Sequence, residues 1–224
     1  MSVKIKIELN DGLYLKDPQD SKLGKKIIQF SIVMIDKVGF ESFNFKKLAT
    51  EINSTEASLY RYFENKHLLL LYLVNWYWEW VNYLINLNTM NIADSRNKLE
   101  IVVHSLVFAT TDNSLVEFID ESKLHKIVVF EGTKAYHTFE VDKENSIGLF
   151  KSYKDLAAKI ASIISECNPD FKYPSALASN LFEMTNNQLY FAKYLPKLTD
   201  IAMSKNHEKE VEKMLNYFLV KLLF

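Results

Sequence analysis

Residues 39–69 read GFESFNFKKLATEINSTEASLYRYFENKHLL, and this stretch decides the fold. Asn44 precedes one short apolar run, and Thr55 or Ser54 precedes a second, at the positions where a side-chain oxygen caps the first turn of a helix. Asn53 lies between the runs, where a tight turn needs the left-handed conformation that Asn tolerates. The stretch therefore predicts two short helices joined by a tight turn, which is a helix-turn-helix pattern.

A longer helix is predicted before this pair. Apolar residues recur at helical spacing from Leu23, and Gly39 stands where a glycine ends a helix. Two apolar stripes lie side by side on this helix: Leu23, Ile27, Phe30, Met34 and Val38 form one, and Ile28, Ile32 and Ile35 lie beside it. Together the three helices predict a small domain over residues 21–67.

The long helix predicted over residues 66–87 is apolar nearly all round. Its polar residues fall on one narrow stripe, which we expect to face water: Asn75, Glu79, Asn82 and Asn86. We therefore expect this helix to run through the centre of a helical bundle over residues 68–224. Further helices are predicted over 95–110, 114–121, 123–136, 147–167, 173–194 and 207–223, with a loop over 138–146.

Composition supports an all-α fold and excludes several other classes. The 224 residues include only five Gly and four Pro, too few for the turns of a β-sandwich or barrel. An apolar fraction of 48% excludes disorder as the dominant state. The one cysteine, Cys167, excludes an intrachain disulfide and a cysteine-rich zinc site. No apolar run is long enough to cross a membrane, so we expect a cytoplasmic protein.

The first twenty residues follow a different pattern. Val3, Ile5, Ile7 and Leu9 alternate with polar residues before an Asn-Asp-Gly turn at residues 10–12. This alternation predicts a short β-hairpin, or else a mobile arm, over residues 1–20. Pro18 separates it from the helical part of the chain.

Charge is distributed unevenly. Residues 21–67 hold eight basic and five acidic side chains, a balance of +3, whereas the whole chain carries −1. The remainder must therefore carry −4. A basic module on an acidic body favours a polyanionic partner.

Residues 27–71 resemble the DNA-binding domain of the TetR (tetracycline-repressor) family of transcriptional regulators. The resemblance rests on the glycine turn, the polar cap, Leu48-Ala49, Leu59-Tyr60 and the spacing from Phe63 to Lys66. It implies a homodimer that binds palindromic double-stranded DNA and is released by a small, largely apolar effector, most simply as a repressor. Glu56 departs from the family pattern, because a carboxylate is repelled by phosphate unless it accepts from a cytosine amino group.

The resemblance also implies three sets of site residues. We expect the hydroxyls of Tyr60 and Tyr62 to be free to donate to phosphate, and Lys66 to bind phosphate, since an ammonium group at a helix start opposes the macrodipole. The expected DNA contacts are Asn44, Lys46, Lys47, Ser54, Thr55, Glu56, Ser58, Tyr60, Arg61, Tyr62 and Lys66. The expected effector pocket comprises Trp76, Trp80, Tyr83, His104, Phe108 and Tyr136. The expected dimer interface comprises Leu156, Ile160, Ile163, Ile164, Leu177, Leu181 and Met184.

Two other interpretations compete with the regulator. The pocket residues are equally typical of ordinary core, and His104 is typical of a core histidine. Glu56 and the near-neutral charge of the chain favour an alternative function, a helical small-molecule binding or interaction protein whose helix-turn-helix no longer binds DNA. An enzyme is not expected, because the sequence lacks HExxH, GxGxxG, Walker A and GxSxG motifs. No cofactor or metal is expected.

Overall fold

The computed structural model describes residues 5–109 and 116–224, and their regular structure is helical. No strand occurs in these residues, which confirms the all-α fold. Three short 3₁₀ turns occur at Asp11–Leu13, Pro18–Asp20 and Pro196–Leu198. The α-helices are α1 (Lys22–Ser42), α2 (Phe45–Glu51), α3 (Glu56–Leu59), α4 (Lys66–Thr89), α5 (Ser95–Phe108), α6 (Glu121–Tyr136), α7 (Val141–Ser146), α8 (Lys151–Cys167), α9 (Pro174–Tyr194) and α10 (His207–Leu223).

The helices belong to two compact units. The amino-terminal unit contains, of the described residues, 5–79 and 116–152. The carboxy-terminal unit contains residues 80–109 and 153–224. The helix-turn-helix residues thus share a unit with α6 and α7, an arrangement that chain order does not indicate.

Helix α1 buries mainly one of its two apolar stripes. Ile27, Ile28 and Ile32 are fully buried, whereas Val38 is 42% exposed. Phe30 and Met34 are partly exposed as well. The helix therefore buries Ile27 and the second stripe, and leaves the rest of the first stripe partly or largely exposed.

Gly39 interrupts α1, as predicted, and α6 stabilises the break. Gly39 has φ 75° and ψ 160°, a conformation available to glycine without strain. The next amide, that of Phe40, donates to Glu131 Oε1 of α6 at 3.1 Å. Lys134 contacts Glu131 at 2.7 Å, and this hydrogen bond raises the pKa of Lys134. A buried carboxylate thus satisfies the amide that the break leaves without a helical partner.

Two further ion pairs join α1 to α6. Lys126 donates to Asp36 at 2.5 Å, and Lys134 donates to Glu41 at 3.1 Å. The second contact also lowers the pKa of the Glu41 carboxyl. Helix α6 therefore holds the last two turns of α1 at several points.

The β-hairpin prediction is wrong for the residues that the structure describes. The side chain of Gln19 occupies the place of a partner strand: its Oε1 accepts from the Ile7 amide at 3.2 Å and its Nε2 donates to the Ile7 carbonyl at 2.7 Å. Leu13 is fully buried, and the Leu15 amide donates to the Tyr62 carbonyl at 2.8 Å. The segment therefore packs on the amino-terminal unit without a second strand.

Helix α4 is confirmed as a buried helix, but its polar stripe has a different role from the one predicted. Asn75 is buried and donates to the Leu71 carbonyl at 2.8 Å. Lys159 of α8 donates to the side-chain oxygens of Asn82 and Asn86, the latter at 2.6 Å. The stripe therefore pairs with a lysine of a neighbouring helix rather than with water alone.

Other predicted boundaries also need correction. The helix predicted over 114–121 is absent from the described part, residues 116–120, and its first two residues lie outside the described ranges. The loop predicted over 138–146 contains α7. Helix α8 starts at Lys151 rather than at residue 147, because Gly148, with φ 80°, turns the chain between α7 and α8.

A search of the described residues finds no helix long and apolar enough to cross a membrane. The same residues contain no group of three or more acidic, histidine or cysteine side chains placed to hold a metal ion.

Replacing Gly24 with Ala tests the close approach of the first segment to α1. A Cβ at Gly24 would lie 2.2 Å from the Pro18 carbonyl oxygen and 2.5 Å from Pro18 Cα. Because both atoms are backbone, we expect Gly24→Ala to lower the free energy of unfolding by about 1–3 kcal/mol in urea titrations. Gly132→Ala on α6 is the matched control, since the nearest atom is Val128 Cγ1 at 3.7 Å, and it should raise stability by up to ~1 kcal/mol. Equal effects of the two variants would contradict the assigned contact.

Replacing Glu131 tests the clamp on the break in α1. Glu131→Ala leaves the buried Phe40 amide without its acceptor, which should cost about 1–3 kcal/mol in thermal or urea unfolding. Glu131→Gln retains an acceptor oxygen and should cost clearly less. If both variants lose the same stability, the carboxylate serves the ion pair with Lys134 rather than the amide.

Candidate nucleic-acid interface

The helix-turn-helix has a compact core. Leu48, Ala49, Leu59 and Phe63 are buried, with exposures between 0% and 4%. Ile52 is also buried at 4%, and its amide donates to the Leu48 carbonyl at 3.0 Å. Ile52 anchors the turn between α2 and α3. Its position as an apolar residue directly before Asn53 is a signal of this role that the prediction did not use.

Both predicted caps and the predicted turn are confirmed. Asn44 Oδ1 accepts from the Lys47 amide at 2.9 Å and begins α2. Thr55 Oγ1 accepts from the Ser58 amide at 3.3 Å and begins α3, so Thr55 and not Ser54 is the cap. Asn53 has φ 54°, the left-handed conformation. These three residues fix the angle at which α3 follows α2.

The exposed surface of the helix-turn-helix carries most of the predicted DNA contacts. Lys46 and Arg61 are exposed, and neither side chain has a hydrogen bond or ion pair with any part of the chain that the structure describes. Lys47 is exposed and donates to the Ser42 carbonyl at 2.8 Å. The remaining exposed or partly exposed candidates are Asn44, Ser54, Thr55, Glu56, Ser58 and Tyr60.

The two tyrosines differ. Tyr60 is 47% exposed, its ring packs on Phe45 with centroids 5.1 Å apart, and its hydroxyl lies 3.5 Å from Glu56 Oε1. Tyr62 is only 4% exposed, and its hydroxyl pairs with Ser21 Oγ at 2.7 Å. The prediction of a free hydroxyl is therefore wrong for Tyr62, because that group joins the start of α1 to the helix-turn-helix.

Lys66 has acceptors within its own unit. Its ammonium nitrogen lies 3.2 Å from the Phe40 carbonyl, 3.4 Å from those of Glu41 and Phe43, and 4.7 Å from the centroid of the Phe40 ring. A cation at the carboxyl end of a helix satisfies orphan carbonyls and complements the macrodipole. The position of Lys66 is therefore explained by the end of α1 as well as by a phosphate partner.

The exposed charges around the two short helices balance. Residues 43–65 contain three basic side chains, Lys46, Lys47 and Arg61, and three acidic ones, Glu51, Glu56 and Glu64, so their net charge is zero. All six are exposed. This surface therefore has no strong electrostatic potential. Its attraction for a phosphate depends on which of these charged groups lies nearest to that phosphate.

The structure places the predicted pocket residues in both units. In the amino-terminal unit, Trp76 is fully buried, and Tyr136 accepts a hydrogen bond from Trp78 Nε1 at 2.6 Å. In the carboxy-terminal unit, Trp80 stacks on Tyr83 with centroids 5.6 Å apart, and Trp80 Nε1 donates to the Ala109 carbonyl at 3.2 Å.

His104 has a different environment from the one that its apolar neighbours indicate. Its side chain is 59% exposed, its Nδ1 lies 2.8 Å from Glu212 Oε1, and its ring lies 4.7 Å from that of Phe108. It is therefore not a core histidine. It lines an open surface depression of about 620 Å³, together with Asn88, Ile92, Asn97, Glu100, Ile101 and Glu212.

Most residues of the predicted dimer interface are buried within the single chain. Leu156, Ile160, Ile164 and Leu181 have no exposure. Ile163 and Leu177 are also buried, and only Met184 is partly exposed. The apolar stripes of α8 and α9 therefore contribute to the core of the chain, which an amphipathic pattern alone does not distinguish from an interface.

Comparison of the sequence with family models and with curated proteins gives no match. Comparison of the structure with solved structures gives several. A crystal structure of AibR with isovaleryl coenzyme A and operator DNA matches with a TM-score of 0.60 at 15% identity, over 89% of this chain and 98% of that one. The fatty acid degradation regulator FadR from Bacillus halodurans matches with a TM-score of 0.61 at 16% identity, over 87% and 93%.

One similar structure is that of a protein described by a different role. The superantigen PfiT matches with a TM-score of 0.59 at 11% identity, over 88% of this chain and 94% of that chain. At such identities a structural likeness shows the fold and not the activity. The chain therefore shares its all-α fold with AibR, FadR and PfiT.

Proposed function

We propose that this protein is a transcriptional regulator that binds DNA through α2 and α3. The observation that carries the proposal is a capped helix-turn-helix whose exposed face presents Lys46, Lys47 and Arg61. Arg61 has no partner among the described residues, and its guanidinium suits bidentate contact with a guanine edge. The lysines suit phosphate, which gives affinity without sequence preference. AibR, which shares the fold, has been crystallised with operator DNA.

The regulator is proposed to act as a homodimer on a palindromic site. Two-fold symmetry would place two recognition helices in successive major grooves, with half-sites ~34–36 Å apart. Because the apolar stripes of α8 and α9 are buried, the interface is assigned to the other faces of these helices. Ala158 and Ser162 of α8 and Asn180 and Asn187 of α9 are exposed in the single chain.

A small, largely apolar effector is proposed to release the DNA, so that the regulator is a repressor. Such a ligand acts only through different affinities for two conformations of the protein. Trp80 and Tyr83, which stack on each other within the carboxy-terminal unit, remain proposed binding residues. AibR supports only the binding of a small molecule by a protein of this fold, since its structure contains isovaleryl coenzyme A together with operator DNA.

A second function stays open: a helical ligand-binding or interaction protein that does not bind DNA. Glu56 is exposed at the start of α3, where phosphate would repel it, and the charges of the surface sum to zero. Helix α3 is also short, with four residues. The superantigen PfiT shows that this fold occurs in a protein described by another role.

DNA binding is tested by gel shift on the region upstream of the gene, at two salt concentrations. Lys46→Ala should weaken binding to every sequence and reduce the slope of log K against log [salt] by about 1, because one phosphate contact is lost. Arg61→Ala should cost about 1–3 kcal/mol and also change sequence preference. Lys209→Ala, an exposed lysine of α10, is the matched control and should bind like the wild type. An unchanged salt slope for Lys46→Ala contradicts the assigned surface.

Glu56 separates the two functions. If the regulator reads DNA with α3, Glu56→Gln removes a repelled carboxylate and should tighten binding to nonspecific DNA several-fold in fluorescence anisotropy. Glu79→Gln, a carboxylate outside residues 43–65, should leave this affinity unchanged. Absence of DNA binding by both the wild type and Glu56→Gln favours the second function.

Sedimentation velocity tests the proposed dimer. Ala158→Arg places a bulky cation on the exposed face of α8 and should shift the species from dimer to monomer without loss of helicity. Lys154→Arg, an exposed residue of the same helix, should leave the dimer intact. A monomeric wild type, or a dimeric Ala158→Arg variant, contradicts this interface.

A further inference from the structure

Helix α1 has a second apolar face that its own core does not use. Phe30, Val33, Met34 and Val38 follow one another at spacings of three, one and four residues, which places them on one side of the helix. Val33 is 41% exposed and Val38 is 42% exposed, while Phe30 and Met34 are partly exposed. Most of this apolar stripe therefore lies at the surface of the amino-terminal unit.

This face forms a concave site with α2. A groove of about 210 Å³ is lined by Phe30, Val33, Met34, Lys37 and Val38 of α1 and by Lys47 and Glu51 of α2. Pockets for drug-sized ligands usually measure ~300–1,000 Å³. The groove is smaller than these, so its size suits one alkyl chain better than a fused ring system.

Three charged groups lie at the groove. The Lys37 side chain is exposed, and its ammonium group has no hydrogen bond or ion pair with the described residues. Lys47 donates to the Ser42 carbonyl at 2.8 Å, which leaves two of its three ammonium hydrogens for other acceptors. Glu51 is the only carboxylate among the lining residues, so the lining carries a net charge of +1.

We propose that this groove binds a straight-chain amphiphilic carboxylate of medium length. Its alkyl chain would lie along the apolar side chains of α1, and its carboxylate would accept from Lys37 and Lys47. Lysine stems suit this arrangement, because they cover apolar surface while the ammonium group stays in water. The site is separate from the proposed effector residues, which lie on other helices.

Occupation of the groove has a consequence for DNA that rests on the proposed function. Lys47 is a proposed phosphate contact and also a lining residue, so a bound carboxylate would compete with a phosphate for its ammonium group. We expect the carboxylate to lower DNA affinity even when the proposed effector is absent.

Isothermal titration of the full chain without DNA tests the site directly. Hexanoate, octanoate and decanoate are the probes, and each added methylene should tighten binding about threefold to fourfold until the groove is filled. Decanol, which has no charge, should bind more weakly than decanoate. Equal binding of decanol and decanoate, or affinity that does not depend on chain length, overturns the proposal.

Variants locate the binding. Lys37→Gln should weaken decanoate binding about twofold to fivefold, as expected for an exposed ion pair, and Glu51→Gln should tighten it. Val38→Glu places a carboxylate in the groove at an exposed position and should abolish binding, while circular dichroism shows the fold unchanged. Lys209→Gln is the control. If all three variants bind like the wild type, the carboxylate binds elsewhere and the proposal is wrong. Because DNA is absent, failure here is independent of any failure of DNA binding.

Discussion

The break in α1 at Gly39 is the constraint on which the amino-terminal unit depends. It leaves one amide and several carbonyls without helical partners, and two side chains from distant parts of the chain satisfy them. Glu131 accepts from the Phe40 amide, and Lys66 donates to the carbonyls of residues 40, 41 and 43. Contacts to this one break therefore position α6, the start of α4 and the chain segment that leads into α2. Without it, the helix-turn-helix would continue from α1 in a different direction.

The sequence predicts the helix-turn-helix well because its signals are local. Caps at Asn44 and Thr55, the left-handed Asn53 and the glycine at 39 each act within a few residues, and the structure has all four. The face of α1 could not be predicted in the same way. Two adjacent apolar stripes run along it, and which one is buried depends on α6, more than eighty residues away.

The first segment and the dimer residues show a second limit. Ile7 alternates as a strand residue would, yet a side chain, Gln19, meets its backbone. The stripes of α8 and α9 are amphipathic, but amphipathicity does not reveal whether the partner is the same chain or another one. The partners of polar side chains are equally hard to predict. Lys159 donates to side-chain amides of α4 that a helical wheel places toward solvent. Contacts between residues far apart in the sequence are therefore the part of the candidate site that could not be predicted from the sequence.

The three tryptophans of this chain lie at positions 76, 78 and 80 of one helix. Their indole rings are buried, and the Nε1 groups of Trp78 and Trp80 donate to acceptors on different segments. Intrinsic fluorescence of this protein is consequently a spectroscopic report on the middle of α4 alone. Emission excited at the red edge of the tryptophan absorption band therefore reports on α4 during a titration. It does not report directly on changes in α2 or α3.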